Sequence, residues 1–300
     1  MNKAIVTGAS GFIGKALTKY LVTCGYKTTA VDLLPFPFPD LCDAYIIDVA
    51  EPCALGGLLD RDTIVFHLAA RASVPLSVKN PADDFHNTLY GLFEILESCR
   101  KSGSRVIFPS TASIFDSSNI LPVSEKSFVK PSSPYAAAKV AGEAYCSAYF
   151  RCYNMDVRVA RMFSVYGIGM NRFAIHDIIR KIRKNQNELE ILGDGNQMRD
   201  YLYIDDVVRG LVCIATNGIP GEDYNLASGI PVNILNLAGK IAELMNVPGI
   251  KIKASGKSFP GDVPRWYANI SKISSIGFTP SIPLDLGLKR TITWLEENNV

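Results

Sequence analysis

A short strand-like run, Lys3-Ala4-Ile5-Val6, leads directly into Gly8-Ala9-Ser10-Gly11-Phe12-Ile13-Gly14, and helical periodicity follows from Phe12 to Cys24. Few arrangements accept three glycines at that place. Glycine lets the chain turn tightly and permits close backbone approach, and the helix amino terminus offers unpaired N–H groups to a negative charge. Between a strand and a helix of a βαβ unit, such a loop is suited to the pyrophosphate of a dinucleotide. Gly8, Gly11, Phe12, Ile13 and Gly14 are therefore candidate cofactor contacts.

The chain continues the same alternation. Thr28 to Val31, Tyr45-Ile46-Ile47, Ile64-Val65-Phe66, Val106-Ile107-Phe108 and Val157-Arg158-Val159 read as further strands, with helices over Asp83 to Ser102 and Tyr135 to Tyr153 between them. Strand–helix alternation predicts an α/β fold, a Rossmann-type doubly wound parallel sheet, and the almost wholly apolar fourth and fifth runs fit burial on both faces. Past about residue 165 the pattern changes to isolated helices, near 173 to 185, 205 to 216, 233 to 246 and 284 to 297, with short strands between Gly and Pro. The division expected is a cofactor domain over 1–165 and a smaller carboxy-terminal substrate lobe over 166–300. The two are expected to interleave through Tyr201-Leu202-Tyr203.

Apolar residues at 48%, charged residues at 20% and a net charge of +2 argue against a disordered chain and against nucleic acid as partner. The seven cysteines are scattered without a metal-ligand spacing, so neither a metal nor disulfides are expected. No apolar run is long enough to span a membrane, and no leader pattern opens the chain, so a cytoplasmic location with no membrane partner is the expectation.

The second strand ends in Val31-Asp32, about 20 residues past the loop, where a carboxylate accepts from ribose hydroxyls and repels a 2′-phosphate. The cofactor expected is NAD. Asp48 and Val49 after the third strand, and Leu68, Ala69 and Ala70 after the fourth, are further candidate contacts. His67 reads as a hydrogen-bonded core histidine, and His86 and His176 take the same default.

Tyr135 and Lys139 stand four apart at a helix start, so their side chains share one face, and an ammonium beside a phenol favours the phenolate. Thr111 ends the fifth strand, where open α/β sheets place their ligands, and its hydroxyl can reach the same substrate oxygen as Tyr135.

With these residues in view, the chain resembles the extended short-chain dehydrogenase/reductases, specifically the nucleotide-sugar epimerases and dehydratases. The similarity rests on the glycine loop and on His67-Leu68-Ala69-Ala70, Asn87-Thr88-Leu89-Tyr90-Gly91, Ser133-Pro134-Tyr135-Ala136-Ala137-Ala138-Lys139 and Arg161-Met162-Phe163-Ser164-Val165-Tyr166-Gly167. It continues through Gly193-Asp194-Gly195-Asn196-Gln197-Met198-Arg199-Asp200-Tyr201, Asp205-Asp206-Val207, Pro260-Gly261-Asp262-Val263-Pro264-Arg265 and Gly277-Phe278-Thr279-Pro280.

The resemblance implies Tyr135 as acid/base, Lys139 on the nicotinamide ribose, Thr111 aligning a sugar hydroxyl, and Asn87 on the cofactor side. It implies Arg199 and Arg265 on a nucleotide diphosphate, Ser164 near that phosphate, and a homodimer formed through helices of the first lobe. Ser73, Phe173, Trp266 and Tyr267 are candidate ligand contacts, although aromatic positions in a second lobe are more often core.

Three departures from the family pattern stand out. Ala112-Ser113 follows Thr111 where dehydratases carry Asp-Glu, Ser164 replaces Asn, and Asn269 replaces Asp. Without the extra acid pair the expected activity is 4-epimerisation of a nucleotide-linked hexose through a transient ketone, the alternatives being ketosugar reduction and a nonenzymatic sensing module.

Overall fold

The computed structural model describes residues 2–257, 260–261 and 263–298. In its first part β1 (Lys3–Thr7), β2 (Lys27–Asp32), β3 (Asp43–Ile46), β4 (Thr63–His67), β5 (Arg105–Thr111) and β6 (Val157–Met162) alternate with helices. These helices are α1 (Phe12–Thr23), α2 (Val74–Lys79), α3 (Pro81–Asp84), α4 (Gly91–Ser102) and α5 (Pro134–Tyr153). Then follow β7 (Ser164–Tyr166), α6 (Phe173–Lys184), β8 (Glu188–Ile191), β9 (Met198–Tyr203), α7 (Ile204–Asn217) and β10 (Asp223–Leu226). The chain closes with β11 (Pro231–Asn233), α8 (Ile234–Leu244), β12 (Lys251–Ala254), α9 (Ser271–Ser275) and α10 (Leu284–Glu297).

The central sheet has seven strands in the order β10-β6-β5-β4-β1-β2-β3, and every pairing in it is parallel. Its winding reverses between β1 and β4, which opens a crevice at their carboxyl ends, the place where such sheets bind ligands. Both faces are covered. Leu17 and Leu21 of α1 and Val207 and Leu211 of α7 pack on one, and Leu92, Ile95 and Leu96 of α4 with Cys146 and Tyr149 of α5 on the other. Double burial explains why β4 is buried along its whole length and runs Ile64-Val65-Phe66 without a polar residue between Thr63 and His67.

Gly142 sets how closely α5 lies on the sheet. A Cβ there would come within 2.7 Å of the Phe108 ring and 2.8 Å of Leu92, so only glycine lets this turn of α5 reach β5. That approach fixes the height of Tyr135 and Lys139 over Thr111, on the same helix and the neighbouring strand end.

Some expectations shift. The strand that returns to the central sheet is β10, beside β6, whereas Tyr201-Leu202-Tyr203 lies in β9 of a three-stranded sheet, β11-β9-β7. The third strand covers Asp43–Ile46 and is exposed throughout, as an edge strand can be. The helix read over Asp83 to Ser102 is broken: α3 passes into a π-helical turn over Phe85–Tyr90 before α4 begins. Asp262, part of one matching stretch, lies outside the described residues.

Candidate active site

A cleft of about 1100 Å³ crosses the carboxyl ends of β1, β4 and β5 and extends under β7 and β9. Its wall brings together all the candidate cofactor and catalytic residues, Gly8 to Lys139, with Ser73, Ser164, Phe173, Arg199 and Trp266 on the substrate side.

At one end the glycine loop is held by its own backbone. Gly8 has φ +68°, and a Cβ on it would sit 2.7 Å from Ala69 N. A Cβ on Gly14 would fall 2.1 Å from Gly8 O. These two glycines therefore let β1, the loop and the end of β4 nest together, while Gly11 is exposed at the start of α1 and no side chain caps that helix. The N–H groups of the first turn thus remain available to an anion in the cleft. Asp32 is fixed beside them, its Oδ2 accepting from Ser10 N at 2.9 Å and its Oδ1 from Leu34 N at 3.0 Å. Asp48 Oδ1 accepts from Ala50 N at 2.9 Å. An uncapped helix start, a wall of main chain and a fixed carboxylate one strand away fit a dinucleotide.

At the centre, Ser133 caps α5 by accepting from Ala136 N at 3.2 Å, and Pro134 occupies its first turn, so the helix begins one residue before Tyr135. Tyr135 and Lys139 then face β5. Lys139 Nζ donates to Pro109 O at 2.8 Å and lies 4.6 Å from the Phe108 ring centroid. Burial pulls Lys139 down to about 8, against the opposing charge of Asp84. At neutral pH it keeps its proton. Burial pushes the Tyr135 phenol up to about 12, with the Thr111 hydroxyl and the Arg172 guanidinium pulling it the other way. Thr111 Oγ1 accepts from Ser113 N at 3.2 Å, which holds the hydroxyl at the strand end. Asn87 Nδ2 donates to Asp83 O and Oδ1 at 2.8 and 3.0 Å, on the cofactor side of the cleft.

His67 is buried with Nδ1 3.0 Å from Thr7 Oγ1, and burial holds it neutral by taking its pKa to about 3. It is a core residue, as its sequence context indicates. His86 instead stacks on Tyr90 at the surface, 5.4 Å between centroids.

On the substrate side, Arg199 Nη1 donates to Met198 O and Pro264 O at 3.0 and 2.8 Å, and its guanidinium lies 4.0 Å over Trp266. Ser164 opens β7 on the cleft wall, and the Ser73 hydroxyl caps α2 by accepting from Leu76 N at 3.4 Å. Arg265 is set apart. It pairs with Met198 in an isolated bridge and is exposed beyond the cleft wall, where its charge acts on Asp194. Tyr267 is likewise absent from the wall.

Two functional candidates escape the sequence reading. Arg172, at the start of α6, lines the cleft with its guanidinium 4.7 Å over Phe173 and its charge acting on Tyr135. Asp84, just before the π-helical turn, is buried and its charge acts on Lys139. Helix-start position marks the first, but an Asp-Asp pair in a polar stretch gives no sign that its second member is buried.

The sequence profile of the NAD dependent epimerase/dehydratase family matches residues 4–227. The chain is 31% identical to a UDP-glucuronate 4-epimerase from Thermodesulfobacterium geofontis, over 99% of this chain and 97% of that protein. Its backbone is similar to a UDP-N-acetylglucosamine 4-epimerase from Methanobrevibacter ruminantium solved with UDP-N-acetylmuramic acid, at a TM-score of 0.91 and 27% identity over 99% of both chains. It is equally close to the Thermotoga maritima UDP-glucose 4-epimerase solved with UDP-glucose, at a TM-score of 0.90 and 29% identity over 99% and 100% of the two chains. No helix among the described residues is long and apolar enough to cross a membrane. By its near full-length match, its uncapped phosphate loop and the convergence of Thr111, Tyr135 and Lys139, the chain belongs to the NAD dependent epimerase/dehydratase family, an enzyme with NAD as its cofactor.

Proposed function

We propose that this protein inverts C4 of a UDP-linked hexose through a transient 4-ketone. The observation that carries the reading is the meeting, in one cleft, of the Thr111–Tyr135–Lys139 set with an NAD-type loop at one end and Arg199 at the other. A sugar bound there would lie between a hydride acceptor and a diphosphate contact.

A sugar C4–H is not acidic, so inversion by direct proton removal is closed to the enzyme. The glycine loop, Asp32 and Lys139 would hold NAD, which when bound would supply the reversible hydride chemistry at C4. The chain's own residues handle the proton and the geometry. Tyr135 removes the O4 proton as the ketone forms and returns it afterwards, and Lys139 holds a positive charge beside it to favour the phenolate. Thr111 orients O4 toward the phenol. Arg199 and Ser164 grip the diphosphate, with Arg265 meeting it from the rim, so the hexose can turn and present its other face while the nucleotide stays in place. Asn87, Asp48, Val49, Leu68, Ala69 and Ala70 complete the cofactor wall. Phe12 and Ile13 offer main-chain N–H groups to the pyrophosphate, and Ser73 lies within the sugar end. Ala112 and Ser113 after Thr111 provide no second acid pair, which sets the reaction apart from dehydration.

A homodimer is part of the proposal, supported by the outer faces of α4, α5 and the π-helical turn before α4. His86, Tyr90, Phe93, Tyr145, Tyr149 and Tyr153 form a continuous ladder of ring contacts with centroids 5.2–6.5 Å apart. Tyr145 and Tyr153 stay exposed on it and Phe85, next to His86 in the chain, is exposed as well, an apolar surface suited to a second copy. The seven cysteines are all free, which suits a reducing, cytoplasmic compartment. The division at 165/166 is likewise part of the proposal: most of the cofactor wall comes from 1–165 and Arg199 from 166–300, while Ser73, Thr111 and Ser164 of the first part would also meet the sugar nucleotide and β10 returns to the central sheet.

The test is product analysis. Purified protein with no cofactor added should interconvert UDP-glucose and UDP-galactose, or the corresponding N-acetyl or uronate pair. Turnover seen only with stoichiometric consumption of NADH or NADPH would give the reaction to a ketosugar reductase instead.

A further inference from the structure

Lys139 feels the charge of a buried carboxylate that does not line the cleft. The helix α3 and the π-helical turn after it pack against α5, and they carry Asp84 and Thr88, neither of which lines the cleft. Asp84 is 2% exposed and Thr88 1%. Neither carboxylate oxygen of Asp84, nor the Thr88 hydroxyl one turn further on, has a hydrogen-bond partner of ordinary geometry among the described residues. An unpaired buried carboxylate is costly to a fold and is kept where something uses its charge. A π-helical turn, which sets the spacing of these two side chains, also recurs at functional positions.

The charges around this place are few. Lys139 and Asp83 act on Asp84, and Thr88 draws its carboxyl down while burial pushes it up. On Lys139 the charges are Asp84 from across the helix interface and Glu143 and the Cys146 thiol from its own helix. Asp84 also acts directly on Tyr135, holding its phenol up, and the neutral His67 completes the surroundings. Asp84 and Lys139 make no direct ion pair, so their charges act across a gap within the protein, where the low dielectric strengthens them.

We propose that Asp84 is a positioning residue for the reaction, its buried carboxylate being the counter-charge that keeps Lys139 an ammonium ion beside Tyr135. The proposal rests on Tyr135 and Lys139 being the acid/base pair. Burial alone favours a neutral lysine, and Asp84 is the charge that opposes it from outside the helix. Without the carboxylate, Lys139 would shed its proton close to neutrality, and Tyr135 would lose its positive neighbour. The sign is definite: activity that needs the ammonium falls as pH rises through the lysine pKa. That fall should come at lower pH when Asp84 is neutral.

The experiment uses Asp84→Asn, which keeps the shape and removes the charge, in the full-length protein. Lys139 acylation by acetic anhydride is followed against pH by mass spectrometry, with and without NAD, alongside the pH profile of kcat on a UDP-sugar. In the wild type the labelling midpoint should lie near 8. In Asp84→Asn it should fall by about one pH unit, the size expected of one nearby charge, and the alkaline limb of kcat should move with it. Thr88→Val keeps the charge and removes only the hydroxyl, so it should move the midpoint by less, and it carries the test if Asp84→Asn does not fold. An altered melting temperature with an unmoved midpoint in a folded variant would overturn the proposal and leave Asp84 a structural residue. Labelling needs no turnover, so absence of epimerase activity in the wild type would count against the reaction and not against the coupling of these two charges.

Discussion

At the glycine-loop end of the cleft the walls are main chain, whereas at the sugar end they are side chains carried on short strands and a loop. Gly8 and Gly14 are required by contacts of 2.7 and 2.1 Å that any Cβ would make with backbone, and Asp32 is tied to two backbone N–H groups. Opposite them, Arg199 sits on β9 and is held by carbonyls of two separate segments and by the Trp266 ring. The main-chain end is fixed by backbone contacts at Gly8 and Gly14, and its form suits a dinucleotide. The side-chain end can be re-cut for different sugars with the fold unchanged, which agrees with relatives named for glucose, N-acetylglucosamine and glucuronate.

The residues at the junction of the two ends carry the largest expected effect. Tyr135→Phe removes one hydroxyl, so it should retain fold and NAD while turnover drops by roughly 10²- to 10⁴-fold, as loss of a general acid/base does. Comparison of kcat and bound NAD in the purified variant checks this, and undiminished turnover would remove Tyr135 from the chemistry.

The next effect belongs to the sugar end alone. Arg199→Ala should raise KM for the UDP-sugar by about tenfold or more through loss of a charge-assisted contact, without touching NAD affinity. Arg265→Ala, exposed beyond the wall, should raise it by less. Equal effects of the two changes would mean that the rim closes over the diphosphate more tightly than its place in the structure suggests. A smaller effect is expected at the cofactor end: Asp32→Ala should reduce the preference for NAD over NADP by about tenfold, because a carboxylate no longer opposes the 2′-phosphate. Titration of cofactor-free protein measures it, and an unchanged preference would place the ribose elsewhere.

The contrast between the ends also governs how much could be read from the sequence. The glycine loop, Asp32 and the Tyr135–Lys139 spacing are local, each fixed within one strand–turn–helix unit, and the structure brings them together on one cleft wall. What needed tertiary contacts escaped. The seventh strand, Asp-Tyr-Asn-Leu over 223–226, is short and half polar, and Asn225 is tolerated there because its side chain donates to Val123 O at 3.1 Å, a partner about a hundred residues away. The π-helical turn leaves the 3.6-residue pattern almost unbroken, so Asp83 to Ser102 reads as one helix. Nothing in the sequence around Asp84 reveals that α3 packs on α5 and that this carboxylate is buried. Arg265 matches a motif, yet its segment, bridged to β9 at Met198, leaves it exposed off the cleft wall, which depends on contacts distant in sequence.

The central claim is that hydride leaves C4 of the sugar and returns to the same carbon within one active site. The most direct measurement is conversion of UDP-glucose carrying deuterium at C4, with no cofactor added, read by mass spectrometry and NMR. The account predicts a C4-inverted product that keeps its deuterium and takes up none from D₂O at that carbon. Loss of the label to solvent, or deuterium entering C4 from D₂O, would contradict it.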